Sequence, residues 1–440
     1  MTMGTGSPGG TVQPAGGRAG LPFADVLAMG AHYRPGGALV SPLPAGGPAR
    51  ATAALPGGRD GAKLGGILPP ARGVAAMRAA VLTAVNKPLE ILDLEQEGPR
   101  AGEVRVEVKA AGVCMSDWHI MNGDWPLPLP MVLGHEAAGV VAELGPGVAN
   151  VKKGDHVIFS FRPHCGFCRY CSSGRTVLCV GHNDTPRWRM HDGSARLKLN
   201  GEPVNQMARI GTFSEQVVCP AEQVVKVRED LPWTHAAIIG CSVATGVGAA
   251  IRHANVEAGS SVLVVGCGGV GLNVVQGARL AGARTIIACD LLDNKLAYAR
   301  EFGATHTVNA KREDVLKRVQ ELTGGLGVDY AFDAIGGEQT AVLVVDAVAP
   351  GGHAVLVGIP AFSARAPVSP SAMVYGEKRL SGTYYGSIRP AVDFAVLADL
   401  DMEKRIDLDS LISRTYRFDE INEGFRLLTS GAVARGVIVF

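Results

Sequence analysis

A run of glycines constrains the fold of this chain more than any other feature. Gly266-Cys267-Gly268-Gly269-Val270-Gly271 follows the apolar stretch Val262-Leu263-Val264-Val265 and opens a helical pattern reaching about Ala281. A short, unalternating apolar stretch is the pattern of a parallel strand buried on both faces. Between such a strand and a helix, the G-x-G-x-x-G spacing has a mechanical meaning. Gly266 permits the tight turn, Gly268 lets the backbone approach a pyrophosphate, and Gly271 lets the helix pack close to the strand. The phosphates then rest on a helix N-terminus, where unpaired N–H groups and the helix dipole favour anions. Asp290 follows Gly271 by 19 residues, just after the next strand pattern, Thr285-Ile286-Ile287-Ala288-Cys289. An acid about 20 residues on accepts hydrogen bonds from the adenosine ribose of NAD, and its charge repels the 2′-phosphate of NADP. The bland alternative is a glycine-rich turn that binds nothing; strand, helix and acid together argue against it.

The alternation continues through a helix around 294–302 and strands at Tyr330-Ala331-Phe332 and Ala354-Val355-Leu356-Val357. Residues 242–385 therefore read as a Rossmann domain, an α/β doubly wound parallel sheet. Residues 77–241 read differently. Val104-Arg105-Val106-Glu107-Val108-Lys109 alternates apolar and charged, as half-buried strands do. Ala138–Leu144 and His156–Phe159 look similar, with Gly145-Pro146-Gly147 and Lys153-Gly154-Asp155 as turns between strands. An antiparallel β domain is expected there. Residues 386–440 carry helical patterns at Ala391–Ala398 and Ile421–Thr429, then a last strand, Val437–Phe440, expected to return to the β domain. Residues 1–76 stand apart: 28 of them are Gly or Pro, above the roughly 25–30 % at which low complexity becomes the default reading. They are expected to be disordered, with Met77 the natural start; intact mass of the natively expressed protein decides that point.

Composition excludes several classes. The 440 residues carry 42 basic and 41 acidic side chains, net +1, so no basic nucleic-acid face is indicated. No uninterrupted apolar run of about 18 residues indicates a transmembrane helix, and no basic segment leads into an apolar stretch as in a secretory signal. A cytoplasmic protein without membrane or nucleic-acid partners is expected.

Four of the nine cysteines, Cys165, Cys168, Cys171 and Cys179, form C-x2-C-x2-C-x7-C. Four thiolates in one short lobe can close a tetrahedral zinc site with no open position, which makes it structural. Fe–S ligation uses similar spacings, and two disulfides are a third reading. A second set is dispersed: Cys114 in Gly112-Val113-Cys114-Met115-Ser116-Asp117, His135 and Glu136 after Gly134, and Cys241 after Gly240. Two thiolates and an imidazole are the ligand set of a catalytic zinc that keeps a fourth position open. Spacing leaves these residues separate, and each taken singly is more often an ordinary buried Cys or turn His.

Taken together, residues 77–440 resemble the zinc-dependent medium-chain alcohol dehydrogenases. The residues that carry the likeness are Gly-Val-Cys-Met-Ser-Asp at 112–117, Gly-His-Glu at 134–136, the four-Cys lobe, Gly-Cys at 240–241, Thr-Gly at 245–246 and the glycine run. Residues 1–76 have no counterpart. The resemblance implies a GroES-like catalytic domain beside the Rossmann domain, and two zinc ions per subunit. Cys114, His135 and Cys241 would ligate the catalytic zinc and Glu136 would approach it, with Asp117 orienting His135. Ser116 would take the alcohol proton and His119 pass it outward. Thr245, Gly266, Gly268, Gly269, Val270, Gly271, Asp290, Lys295 and Arg435 would contact NAD, Arg435 at the pyrophosphate. Trp125 and Phe161 would line the substrate channel. Met115 stands where many relatives have a basic residue, and Trp125 is bulky where smaller side chains are common.

The implied activity is reversible hydride transfer from a primary alcohol, aromatic or longer-chain, to NAD. The alternatives are a thiol-adduct formaldehyde dehydrogenase and a non-catalytic NAD- and zinc-binding relative. The second would be marked by loss of a ligand or relay residue, and Cys114, Ser116, His119, His135, Glu136 and Cys241 are all present. The family implies homodimers or tetramers, and the strand-poor segment 182–211 after the lobe favours the dimer.

Overall fold

The computed structural model describes residues 74–440. The extension read as 1–76 therefore lies outside the described residues except for 74–76. Those three belong to the first strand, Val74–Leu82, because its antiparallel register with Glu90–Glu97 already begins at Val74 opposite Glu97.

Three sheets organise the chain, in the expected fold class: a GroES-like antiparallel domain beside a Rossmann domain. A small closed barrel joins Val74–Leu82, Glu90–Glu97, Leu197–Leu199, Glu202–Gln206 and Met131–Val132. The catalytic sheet runs in the order Val224–Lys226, His156–Phe159, Ala137–Leu144, Glu103–Val113, Arg435–Val439, Ile412–Arg417, with Gln216–Pro220 also paired to Glu103–Val113. Alternation works here as the sequence suggested: Val104, Val106 and Val108 are buried while Glu107 faces solvent. The third sheet is six-stranded and parallel, in the order His306–Asn309, Thr285–Asp290, Ser261–Val265, Val328–Asp333, Val348–Leu356, Arg379–Gly382. Numbered along the chain that order is 3-2-1-4-5-6, the doubly wound arrangement. Its direction reverses beside Ser261–Val265, so the glycine turn sits at the switch point where such sheets bind ligands.

Two features departed from sequence expectation. Segment 182–211 holds two strands, Leu197–Leu199 and Glu202–Gln206, which close the barrel. Their two-residue turn is Asn200-Gly201, with φ of +52° and +83°, a hairpin signal in its own right. Second, the boundary between 241 and 242 falls inside one continuous helical stretch, Trp233–Ala254. This stretch is long and apolar enough to cross a membrane, but 89 % of its most apolar window is buried in the protein. It is a core element shared by both domains: Ala110, Ala138 and Ile158 of the catalytic sheet lie in one apolar cluster with Ala237, Ile238, Val262 and Phe332.

Candidate active site

Each member of the dispersed set stands where an element starts, or where a helix is interrupted. Cys114 follows strand Glu103–Val113 and precedes helix Met115–Met121. His135 and Glu136 precede strand Ala137–Leu144, after Gly134 at φ +90°, where a Cβ would come within 2.6 Å of the Thr212 hydroxyl. Cys241 lies in a π-helical turn, Ile239–Val243, of the shared helix. Such widened turns recur at functional sites because they re-aim a side chain. One donor atom each from Cys114, His135, Glu136 and Cys241 lies within 4.8 Å of all the others. His135 Nε2 is 3.4 Å from Cys241 Sγ, against about 3.6 Å for S and N ligands on one tetrahedral zinc. The donor set fits the metal.

The surroundings orient these donors. His135 Nδ1 is 3.2 Å from Asp117 Oδ1, which also accepts the Gly134 N–H at 3.0 Å. This leaves Nε2 for the metal, the usual role of a carboxylate behind a ligating histidine. Hydrogen bonding from Cys241 holds the Cys114 thiol well below the ordinary thiol range, against the effect of burial, so a thiolate is available there. Glu136 is fully buried, accepts from the Ser242 hydroxyl at 3.2 Å and is paired with Arg435. Burial lifts its carboxyl to about 7 against the pull of Arg435. Gly112 makes room for it: a Cβ there would lie 2.6 Å from Glu136 Cδ.

Around this centre, Ser116 is half-buried in the first turn of helix Met115–Met121. His119 Nδ1 lies 2.7 Å from Asp124 Oδ2, and its ring stacks on Trp125 at 4.9 Å. Trp125 in turn stacks on Phe362 at 6.3 Å. Phe161 packs edge-on against His135 at 5.5 Å and flat on Tyr385 at 3.8 Å. Phe161 therefore adjoins the centre through His135, and Trp125 adjoins His119. Asp124, Ser242, Phe362 and Tyr385 had not been singled out. Asp124 lies close to His119 in sequence, but no local pattern points to the other three.

The four-Cys lobe is a second closed cluster. Its sulfur pairs lie at 3.5 Å (Cys168–Cys171), 3.9 Å (Cys168–Cys179) and 4.0 Å (Cys165–Cys171). Four thiolates on one zinc put sulfurs about 3.8 Å apart, whereas a disulfide needs about 2.05 Å. Backbone N–H groups of Cys165, Cys168 and Gly181 each point at a lobe sulfur at 3.3 Å, which suits thiolate charge. All nine cysteines are unbridged.

At the glycine turn, Gly266 has φ +94° and a Cβ on Gly271 would overlap the Gly266 carbonyl oxygen. A Cβ on Gly268 would meet nothing within 4 Å, so open space lies where a pyrophosphate would approach. Gly269 and Val270 begin helix Gly269–Leu280, with Arg435 beneath Gly269. The Arg435 Nε is buried without a partner, a donor left free for an anionic group. Asp290 accepts from the N–H groups of Cys267, Leu291 and Leu292 at 2.7–3.0 Å, which holds its carboxylate at the strand end. The Lys295 ammonium is spent on the Val433 carbonyl and is buried. Thr245 is half-buried on helix Ala244–Gly248, whose Gly246 sits so close to the cofactor-turn helix that a Cβ would lie 2.5 Å from Asn273 Cβ.

Comparison with known proteins gives the family. Residues 100–229 match the alcohol dehydrogenase GroES-like domain, and 269–400 match the zinc-binding dehydrogenase domain. The chain is 41 % identical over 373 residues to S-(hydroxymethyl)glutathione dehydrogenase of Paracoccus denitrificans, covering 82 % of this chain and 99 % of that one. The chain belongs to the zinc-dependent medium-chain alcohol dehydrogenases. As a member of that family it is an oxidoreductase of small-molecule alcohols and aldehydes, using zinc and a nicotinamide cofactor. Other family relatives include an NDMA-dependent alcohol dehydrogenase of Amycolatopsis methanolica, 40 % identical over 365 residues, with 82 % and 98 % of the two chains covered. Among solved family members, benzyl alcohol dehydrogenase of Acinetobacter calcoaceticus superposes with a TM-score of 0.79 at 30 % identity, covering 83 % of this chain and 99 % of that one.

Proposed function

We propose that the chain oxidises primary alcohols to aldehydes with NAD, reversibly, holding two zinc ions per subunit. The observation that carries this reading is the convergence of Cys114, His135 and Cys241 donors within 4.8 Å, buried beside the turn that can accept a dinucleotide. When bound, zinc supplies a Lewis acid for the alcohol oxygen and the nicotinamide supplies the hydride acceptor. The protein's own groups do the rest. Cys114, His135 and Cys241 would hold the catalytic ion. Asp117 fixes the tautomer of His135, and the Ser116 hydroxyl would take the alcohol proton as it releases its own towards solvent. His119, steadied by Asp124, passes it outward. Asp290 takes the ribose hydroxyls and disfavours a 2′-phosphate, so NAD is used rather than NADP. Arg435 serves both Glu136 and the pyrophosphate. The lobe of Cys165, Cys168, Cys171 and Cys179 holds the second zinc, a structural one.

Phe161 packs edge-on against His135, and Trp125 stacks on His119 and Phe362; aromatic side chains in this region favour aromatic or longer-chain alcohols, and the benzyl alcohol dehydrogenase among the similar structures agrees with that preference. A homodimer is supported by the open edge strand Arg379–Gly382 and by Val374, Tyr375 and Leu380, which leave an apolar surface near it.

A second reading, oxidation of a thiol–formaldehyde adduct, is favoured by the Paracoccus relative. NAD reduction by the purified enzyme across ethanol, hexanol, benzyl alcohol and S-(hydroxymethyl)glutathione, with a zinc-chelated control, separates the two. Chelator-sensitive turnover best with benzyl alcohol is expected. Turnover confined to the thiol adduct transfers the assignment to the second reading, and no turnover by zinc-loaded protein overturns both.

A further inference from the structure

Among the described residues, one more cluster of metal-ligating side chains converges outside the two cysteine-containing centres. His182 lies in the loop leaving the four-Cys lobe, His191 in the turn closed by the Met190 N–H to Ser194 carbonyl hydrogen bond, and Glu222 in the short 3-10 turn after strand Gln216–Pro220. Three separate stretches of chain thus meet. His191 Nε2 lies 2.6 Å and His182 Nε2 3.5 Å from the same oxygen, Glu222 Oε1. The two imidazoles stack with centroids 3.8 Å apart and planes 17° from parallel, and one donor atom from each of the three residues lies within 4.8 Å of the others.

We propose that His182, His191 and Glu222 form a third metal site, taking a divalent transition ion such as Zn2+ and clamping the loop after the lobe to the catalytic domain. Four observations support it. First, the hydrogen bonding is incomplete: His182 Nε2 is buried with no hydrogen-bond partner, although it faces a carboxylate oxygen. An isolated His–Glu pair needs only one imidazole; the second brings its Nε2 within 3.5 Å of the same carboxylate oxygen, and an ion between the three would satisfy it. Second, the loop is already held in place, because Arg209 donates to the carbonyl oxygens of His182 and Thr185 at 3.2 and 2.9 Å. Third, the cluster is reachable. It lines a cavity of ≈ 530 Å³ with Arg100, Glu103, His164 and Cys165 of the lobe, and none of Cys114, His135 or Cys241 borders that cavity. Fourth, the donor chemistry is selective. Two imidazoles and one carboxylate suit Zn2+, Ni2+ or Cu2+, whereas Ca2+ and Mg2+ prefer all-oxygen shells. Side chains 24–30 % exposed leave water to complete the coordination.

The test uses the full-length, tag-free chain and Zn2+ itself. Metal content after equilibration with micromolar Zn2+ is compared among the parent, His191→Gln and Glu222→Gln. The Glu222→Gln variant keeps an oxygen acceptor for His191, so a role in hydrogen bonding alone survives in it. The parent is expected to carry one zinc more than either variant and to gain thermal stability as Zn2+ is added, as a ligand that binds the folded state does. Alcohol turnover should be unchanged in both variants. Cu2+ titrated into the parent should give an electron paramagnetic resonance spectrum with two-nitrogen coupling that His191→Gln loses. Equal zinc content in parent and variants, with the same copper spectrum, overturns the proposal and leaves a plain His191–Glu222 hydrogen bond. A variant that fails to fold is set aside by its circular dichroism, and the other variant and the copper spectrum decide.

Discussion

The four-Cys lobe and the Cys114–His135–Cys241 centre have similar donor atoms and opposite construction. The lobe draws all its donors from fifteen consecutive positions, and two of its thiols, those of Cys165 and Cys168, are half-exposed. Its sulfurs are approached by N–H groups of its own loop. The other centre takes donors from a strand end, a turn and the helix shared by both domains, and its ligands are 3–7 % exposed. One is a local clamp that any nearby fold could carry. The other exists only when the whole catalytic domain and the shared helix are in place. On the proposed assignment, the difference teaches that a metal site built for rigidity can be local, whereas one built for chemistry is placed where two domains meet and a cleft can form.

That contrast can be broken or sharpened by mutation, with turnover per folded molecule as the scale. Cys241→Ser should have the largest effect. Lewis-acid catalysis is worth several kcal/mol and each 1.4 kcal/mol is tenfold, so benzyl alcohol oxidation should fall by about 10³-fold or more. Metal analysis should show the lobe's zinc retained. Parent-like turnover would mean that the buried centre is not the catalytic one. Asp117→Asn should come next, lowering activity or catalytic-metal affinity by roughly 10–100-fold, read as the zinc concentration needed for half-maximal rate. The smallest change in turnover is expected for Cys168→Ser, within about twofold when assayed cold. Its thermal midpoint should nevertheless drop sharply, because a structural zinc contributes on the order of 10 kcal/mol of folding energy. A large loss of turnover in cold, folded Cys168→Ser would show that the two centres are not independent.

Much of this architecture was legible in sequence because its signals are local. The turn Gly266–Gly271, its flanking strand and Asp290 are read within one βαβ unit, and the lobe within one loop. The dispersed donors were singled out as a set only through family resemblance, because nothing local ties Cys114 to Cys241. What stayed hidden depends on tertiary approach: Phe362 reaching Trp125 from the Rossmann half, Ser242 reaching Glu136, and His182 meeting Glu222. Two omissions were of another kind. Asn200-Gly201 is a local hairpin signal inside a segment that otherwise looks irregular. The shared helix hides the domain boundary because its apolar pattern continues unbroken from one core to the other.

The last strand, Arg435–Val439, lies between Glu103–Val113 and Ile412–Arg417 and carries the cation that neutralises Glu136. During synthesis, every other piece of the active centre leaves the ribosome well before this strand does. Until residues 435–439 are made, residues 110–113 of strand Glu103–Val113 lack one partner and Glu136 lacks Arg435. Completion of the active centre thus waits on residue 435, and a chain stopped before it would lack both the strand that joins Ile412–Arg417 to Glu103–Val113 and the buried ion pair of Glu136.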